Sequence, residues 1–237
     1  MSEGPRLPHA KASSVAAAIF EKWELSGLLP DHSAACLVVG SVRRKRDEVG
    51  DLEIVAPLPV GWETRKLTPA DDPLFRRINS TMNNPYRDGS MASLFSMPKD
   101  DLPAGNGDVG VMGTAVRGLK PGFLACSLLL RPWPGIEIPC QVYRYTPDNR
   151  GWLLIERTGP RDFGVWFLWR WKVRFGIPVA DETRRASIDN HLVDASGKVV
   201  SVPNEQEAFR LAGVPYVPPE ERDAFMARQQ ASREALR

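Results

Sequence analysis

Cysteine is scarce in these 237 residues, and the little there is does not cluster. Cys36, Cys126 and Cys140 stand in apolar settings ("AACLVV", "LACSLL", "EIPCQV") and form no metal-ligand spacing. That excludes a disulfide framework and a zinc module, and it predicts reduced thiols used as small buried hydrophobes in a cytoplasmic protein. Long apolar runs are missing too. None nears the ~20 residues that span a bilayer, and "MSEGPRLPHAKASS" lacks the apolar centre of a signal peptide, so no membrane partner is expected. Nor is there an excess of one charge: 31 Lys and Arg against 29 Asp and Glu leave a net charge of +2. A polyanionic partner must then be held by local patches rather than by the field of the whole molecule. Three basic patches exist, "RRKR" at Arg43 to Arg46, "FRR" at Phe75 to Arg77 and "RWKVRFG" at Arg170 to Gly176. Each reads equally well as the solvated face of a helix or loop. Internal repeats and low-complexity tracts are absent.

An apolar fraction of 43% is enough for a real core, and the length allows one large or two small packed units. Residues 1–12 read as a flexible arm. Ser13 or Ser14 is expected to cap a helix reaching about Leu25, with Val15, Ile19 and Trp23 on one face and Gly27 ending it. Residues 57–115, dense in Pro, Gly, Asn and Asp, read as a long irregular excursion around one helix over Asp72 to Met82. "LACSLLLRPW" and "GIEIPCQVYRY" read as strands, the second with Ile136, Ile138, Cys140 and Val142 on one face. "DFGVWFLWRWKVRFG" reads as a helix carrying three of the seven tryptophans. At helical spacing these are more often core than base-stacking surface.

The densest chemistry lies in "VVGSVRRKRDEVGDLEIVA", Val38 to Ala56. Two apolar strand-like runs, "ACLVV" and "LEIVA", flank a Gly-Ser turn, a basic run and Gly-Asp-x-Glu. Asp51 and Glu53 are two apart, so on a strand they share a face. Two carboxylates that close repel unless a cation neutralises them, and oxygen ligands of this kind suit Mg²⁺ or Mn²⁺. Gly40-Ser41 is a bare turn whose N–H groups can meet a phosphate, with Arg43 to Arg46 beside it. Metal ligands next to phosphate ligands are the equipment of two-metal phosphoryl or nucleotidyl transfer.

In that order, Gly-Ser, Arg-Arg and Gly-Asp-x-Glu resemble the nucleotidyltransferase signature of the family X DNA polymerases, the polymerase beta relatives. Two further blocks agree. "GWLLIERTGPRDF" (Gly151 to Phe163) looks like the family's strand and Thr-Gly-x-x-x-Phe turn. "HLVDASGKVVSVPNEQEAFRLAGVPYVPPEER" (His191 to Arg222) resembles its closing segment of hairpin, Glu-rich helix start and Pro-Pro-Glu-x-Arg. Together they cover about half the chain and look like a short, phage-type member, which would work in the host cytoplasm. There is room for one helix before the signature, so the lyase and helix-hairpin-helix parts are expected to be absent.

The resemblance implies an α+β fold. A nucleotidyltransferase palm, a mixed and mostly antiparallel sheet with helices on one side, would occupy residues 13–150. A small α+β subdomain would fill 151–237, with the break near 148–158. It implies two Mg²⁺ or Mn²⁺ ions at Asp51 and Glu53, and nucleotide contacts from Gly40, Ser41, Arg44, Gly50, Thr158, Gly159 and Phe163. The implied activity is addition of deoxynucleotides to a DNA 3′ end in replication or repair. The partners are a nucleoside triphosphate and a primer end or gapped DNA, met by a monomer. Three departures stand out. Glu156-Arg157 replaces the aromatic pair before Thr-Gly, and Gly164 follows Phe163 where the family often has Asn. The strand position implied for a third carboxylate holds Gln141, which can lend a carbonyl oxygen but cannot take a proton as a carboxylate does. Glu137 shares that strand face but stands ~13 Å away, and replaces Gln141 only if the register differs. Two other functions stay open: a degenerate nucleotide- or DNA-binding relative, and nucleotide transfer to a small molecule or protein.

Overall fold

The computed structural model describes residues 6–25, 36–58, 125–133, 136–181, 183 and 185–235. The expected excursion, the helix over Asp72 to Met82 and Gly27 fall almost wholly outside them. Packing divides the chain into two compact units: Met1–Val42 with Arg46–Arg144, and Arg43–Lys45 with Tyr145–Arg237. Among the described residues no helix is long and apolar enough to cross a membrane.

The first unit opens on a two-residue strand β1 (Leu7–Pro8), paired antiparallel with β3 (Glu48–Val49). Helix α1 (His9–Leu25) begins earlier than a cap at Ser13 or Ser14 would place it. His9 N–H donates to Asp47 O at 2.9 Å and its ring Nε2 meets Val42 O at 3.0 Å, while Ser14 Oγ donates back to Ala10 O. Ser14 is thus an interior helix residue, because tertiary partners start the helix upstream of it. Ala12, Val15, Ala16 and Ile19 form the buried stripe at the i, i+3, i+4, i+7 spacing.

The main sheet has the order β2-β4-β6-β5, with β2 (Leu37–Val38), β4 (Leu52–Pro57), β5 (Ala125–Trp133) and β6 (Ile136–Tyr145). The β2/β4 and β5/β6 ladders are antiparallel, the latter with an irregularity between Leu130 and Trp133. The run "ACLVV" is a strand only at Leu37–Val38, and Gly40–Arg43 is one turn of helix, α2. On β6 the expected alternation holds over Ile138 to Val142, where Ile138, Cys140 and Val142 are fully buried, Pro139 is exposed and Gln141 is half-buried, and it ends at Tyr143, which is buried. Cys36 is buried as well, and burial pushes its thiol up to about 12.

The second unit is helical around an aromatic core. The expected strand over Gly151 to Phe163 is instead two helices, α3 (Arg150–Thr158) and α4 (Arg161–Arg174). The run Trp152-Leu153-Leu154-Ile155 is buried throughout, so a short apolar stretch read alone does not distinguish strand from helix. Two local features accompany the helix. Asn149 Oδ1 accepts from Thr146 N–H at 2.9 Å, and Gly151 N–H donates to Val202 O at 2.7 Å. A Cβ on Gly151 would collide with the backbone oxygens of Val202 and Asn204. A cis Gly159–Pro160 peptide joins the two helices.

Trp152 stacks on Phe167 at 5.9 Å, Phe167 meets Phe209 edge-on at 5.2 Å, and buried Trp171 donates its indole N–H to Val193 O. The hairpin β7 (Ser187–Ile188) and β8 (His191–Leu192) turns through Asp189 and Asn190, both at positive φ, as a two-residue hairpin requires. Helix α5 (Glu205–Ala212) is capped by the Asn204 side chain and ends on left-handed Gly213. A 3₁₀ turn at Pro219–Glu221 leads into α6 (Arg222–Glu234).

Candidate functional site

In the first unit the Gly-Ser turn and the carboxylate strand are joined through backbone. Val39 N–H donates to Glu53 O at 2.8 Å. Gly40 follows at φ 65°, and a Cβ there would fall on the Glu53 carboxylate. The left-handed backbone favours glycine here, and the Glu53 carboxylate lies against the same position. Asp51, immediately before β4, is exposed and Glu53, on it, is half-buried, while the next residues Ile54, Val55 and Ala56 are wholly buried. Ser41 Oγ is buried with no hydrogen-bond partner among the described residues. An unsatisfied buried hydroxyl costs ~1–3 kcal/mol. A bound polar ligand would remove that cost.

Gln141 stands on β6, the strand next to β4, opposite Ser127 of β5. Tyr143, two residues on and buried, donates its hydroxyl hydrogen to Gln141 Oε1. The amide oxygen thus already has a partner. Glu137 lies on the same strand, four residues earlier. Among the described residues no three His, Cys, Asp or Glu side chains converge. The chemistry of the donor set, two carboxylates two residues apart and an amide on the neighbouring strand, fits a hard divalent cation.

The second unit contains the basic tripeptide Arg43–Lys45. Arg43 donates to Glu205 Oε1 at 2.9 Å and to Thr158 Oγ1 at 2.8 Å, and its other nitrogen reaches Glu205 Oε2. Arg222, wholly buried, donates to the same carboxylate at 2.7 Å and to Val217 O, with its guanidinium 4.9 Å from the Phe163 ring centre. Burial pushes the Arg222 guanidinium below its ordinary range, while Glu205 pulls the other way. Arg44 donates to Asp223 Oδ2 at 3.1 Å and to Thr158 O, and Gly159 lies against its guanidinium. Lys45 and Glu220 form a 3.8 Å ion pair between exposed side chains, which contributes little.

Several predicted site residues thus have structural partners. Thr158 receives Arg43 and Arg44, and Phe163 is fully buried in the aromatic core. Gly50 has open space around its Cα. Glu205, Arg222, Asp223 and Tyr143 escaped the sequence reading. "NEQE" and "PPEER" show carboxylates at a helix start and an Arg after prolines, but not that Arg43 and Arg222 share one carboxylate.

No family model and no curated protein matches the sequence. Solved structures do match in fold. Leishmania infantum polymerase beta in its ternary P/T complex superposes with a TM-score of 0.58 at 15% identity, over 93% of this chain and 77% of that one. Its ternary gap complex gives 0.56 at 16% identity, over 92% and 71%. The chain therefore has a mixed α+β fold similar to that of polymerase beta.

Proposed function

We propose that the chain is a nucleotidyltransferase of the polymerase beta type, adding deoxynucleotides to a DNA 3′ end. The observation that carries this reading is the corner formed by Gly40, Ser41 and Glu53: a left-handed glycine with a carboxylate against it, beside a buried hydroxyl without a partner among the described residues. Ser41 would donate to a phosphate oxygen of the incoming triphosphate, and Asp51 and Glu53 would hold divalent ions. Such ions supply charge neutralisation of the triphosphate and a more acidic 3′-hydroxyl. Glu53, held by its backbone to Val39, fixes where that charge sits. The fold likeness supports DNA and a nucleotide as partners, because both solved neighbours are described as ternary complexes, one P/T and one gap.

Primer extension with each dNTP tests the reading. Wild type should add nucleotides in Mn²⁺ and more weakly in Mg²⁺, and Asp51→Ala should abolish both. Extension that survives Asp51→Ala would refute it. Arg44 is proposed as a triphosphate ligand that exchanges Asp223 for phosphate. Arg44→Ala should weaken triphosphate binding by about 1.5–3 kcal/mol in a calorimetric titration. Unchanged affinity would leave Arg44 a purely structural residue.

One observation favours a second reading, a nucleotide- or DNA-binding relative without turnover. The Gln141 amide oxygen is occupied by Tyr143, which withholds a metal ligand at the position implied for a third carboxylate. Triphosphate binding without extension in either metal would select it.

A further inference from the structure

Away from the carboxylates, the second unit holds a groove of about 440 Å³ between α4, α6 and the turn from Val214 to Val217. Its inner wall is Trp166 and Phe225, packed edge-to-face at 4.8 Å. It is also lined by Trp169, Arg170, Gln229 and Arg233, of which Trp169 and Arg233 are exposed. Trp169 is 42% exposed, unusual for so large an apolar ring, and the Arg170 guanidinium sits 5.4 Å from its ring centre. Among the described residues no carboxylate lines the groove, and neither arginine is paired with one.

We propose that this groove binds single-stranded nucleic acid, stacking an unpaired base on Trp169 with flanking phosphates held by Arg170 and Arg233. Three features select that occupant. A half-exposed indole is a base-stacking platform, and stacking is tolerant of sequence because every base has a π-face. The rim offers guanidinium donors and an amide but no carboxylate, so its charge complements a polyanion. An apolar peptide helix would instead meet two unpaired cations at the rim. The volume lies at the small end of ligand pockets, enough for one nucleotide rather than a duplex. The proposal goes beyond the transferase reading and needs neither triphosphate nor metal.

The test is fluorescence polarisation of a labelled oligodeoxythymidine with the full chain in EDTA, at two salt concentrations. Wild type should bind, more weakly at higher salt as counterion release requires. Trp169→Ala should raise Kd on the order of tenfold, since a base stack contributes ~1–3 kcal/mol. Trp169→Phe should recover most of the affinity, and Arg233→Ala should weaken binding and flatten the salt dependence. Arg228→Ala, an exposed arginine of α6 outside the groove, should leave Kd within about twofold. A Trp169→Ala protein that retains the wild-type melting curve yet binds normally would overturn the proposal. So would equal affinity for dTMP and the oligonucleotide, since a strand site gains from linked phosphates. Quenching of the indole by an acidic amphipathic peptide but not by the oligonucleotide would reassign the groove to a protein and likewise overturn it.

Discussion

Glu205→Ala is expected to destabilise the second unit by about 3–5 kcal/mol, because it removes one partner of a buried ion pair and leaves the charge of the other. The Glu205 side chain is 3% exposed and bridges Arg43 and Arg222. Arg222 is 0% exposed, and apart from Glu205 its contacts among the described residues are Val217 O and two aromatic rings, so its buried charge would be left without a carboxylate there. Arg43 is 21% exposed and can turn toward water, so Arg43→Ala should cost less than Glu205→Ala. Glu205→Gln keeps the shape and loses the charge, and should fall between them. Four of the seven tryptophans, Trp152, Trp166, Trp169 and Trp171, lie in this unit, so denaturant unfolding followed by indole fluorescence reports chiefly on it. A Glu205→Ala midpoint equal to wild type would mean that the two guanidiniums find other partners at no cost.

Gln141→Asp is expected to raise Mg²⁺-dependent primer extension by roughly 10²–10⁴-fold, the usual contribution of a positioned proton acceptor. The wild-type amide carries no charge, and its oxygen is held by Tyr143. An aspartate there would add an anionic ligand and a base beside the strand of Asp51 and Glu53. Mn²⁺ binds such sites more tightly, so the gain should be smaller in Mn²⁺ than in Mg²⁺. Gln141→Asn shortens the side chain by the same methylene without adding charge, and should give no gain. Tyr143→Phe should help the wild type modestly by freeing the amide oxygen. The contrary result is specific: brisk extension by wild type in Mg²⁺, abolished by Glu137→Gln, would make Glu137 the third carboxylate and the register assumed here wrong.

The local features of the carboxylate strand were legible in the chain itself. Asp-x-Glu on an apolar strand puts two carboxylates on one face whatever surrounds it, because strand periodicity is a property of the backbone. The Gly40 turn was readable for the same reason, being a local conformational demand. The burial of Ile138, Cys140 and Val142 on β6 followed from a period of two. Trp152 to Ile155 was misread as strand because four consecutive apolar residues satisfy either period, and contacts with Val202 and Asn204, some fifty residues later in the chain, accompany the helix.

The order of the three signature blocks, and the similarity to polymerase beta it implied, was thus available from sequence alone, since order and spacing survive without coordinates. The partners of the basic run were not. "RRKR" is four adjacent cations on paper, yet Arg43 and Arg44 are neutralised by Glu205 and Asp223, each more than 160 residues away in the chain. Likewise, nothing in "DFGVWFLWRWKVRFG" tells buried Trp171 from half-open Trp169; only the packing of α5, α6 and the hairpin decides which ring is covered. Conformational demands act between neighbours in sequence, whereas charge pairing and burial act between neighbours in space, and only folding determines the latter.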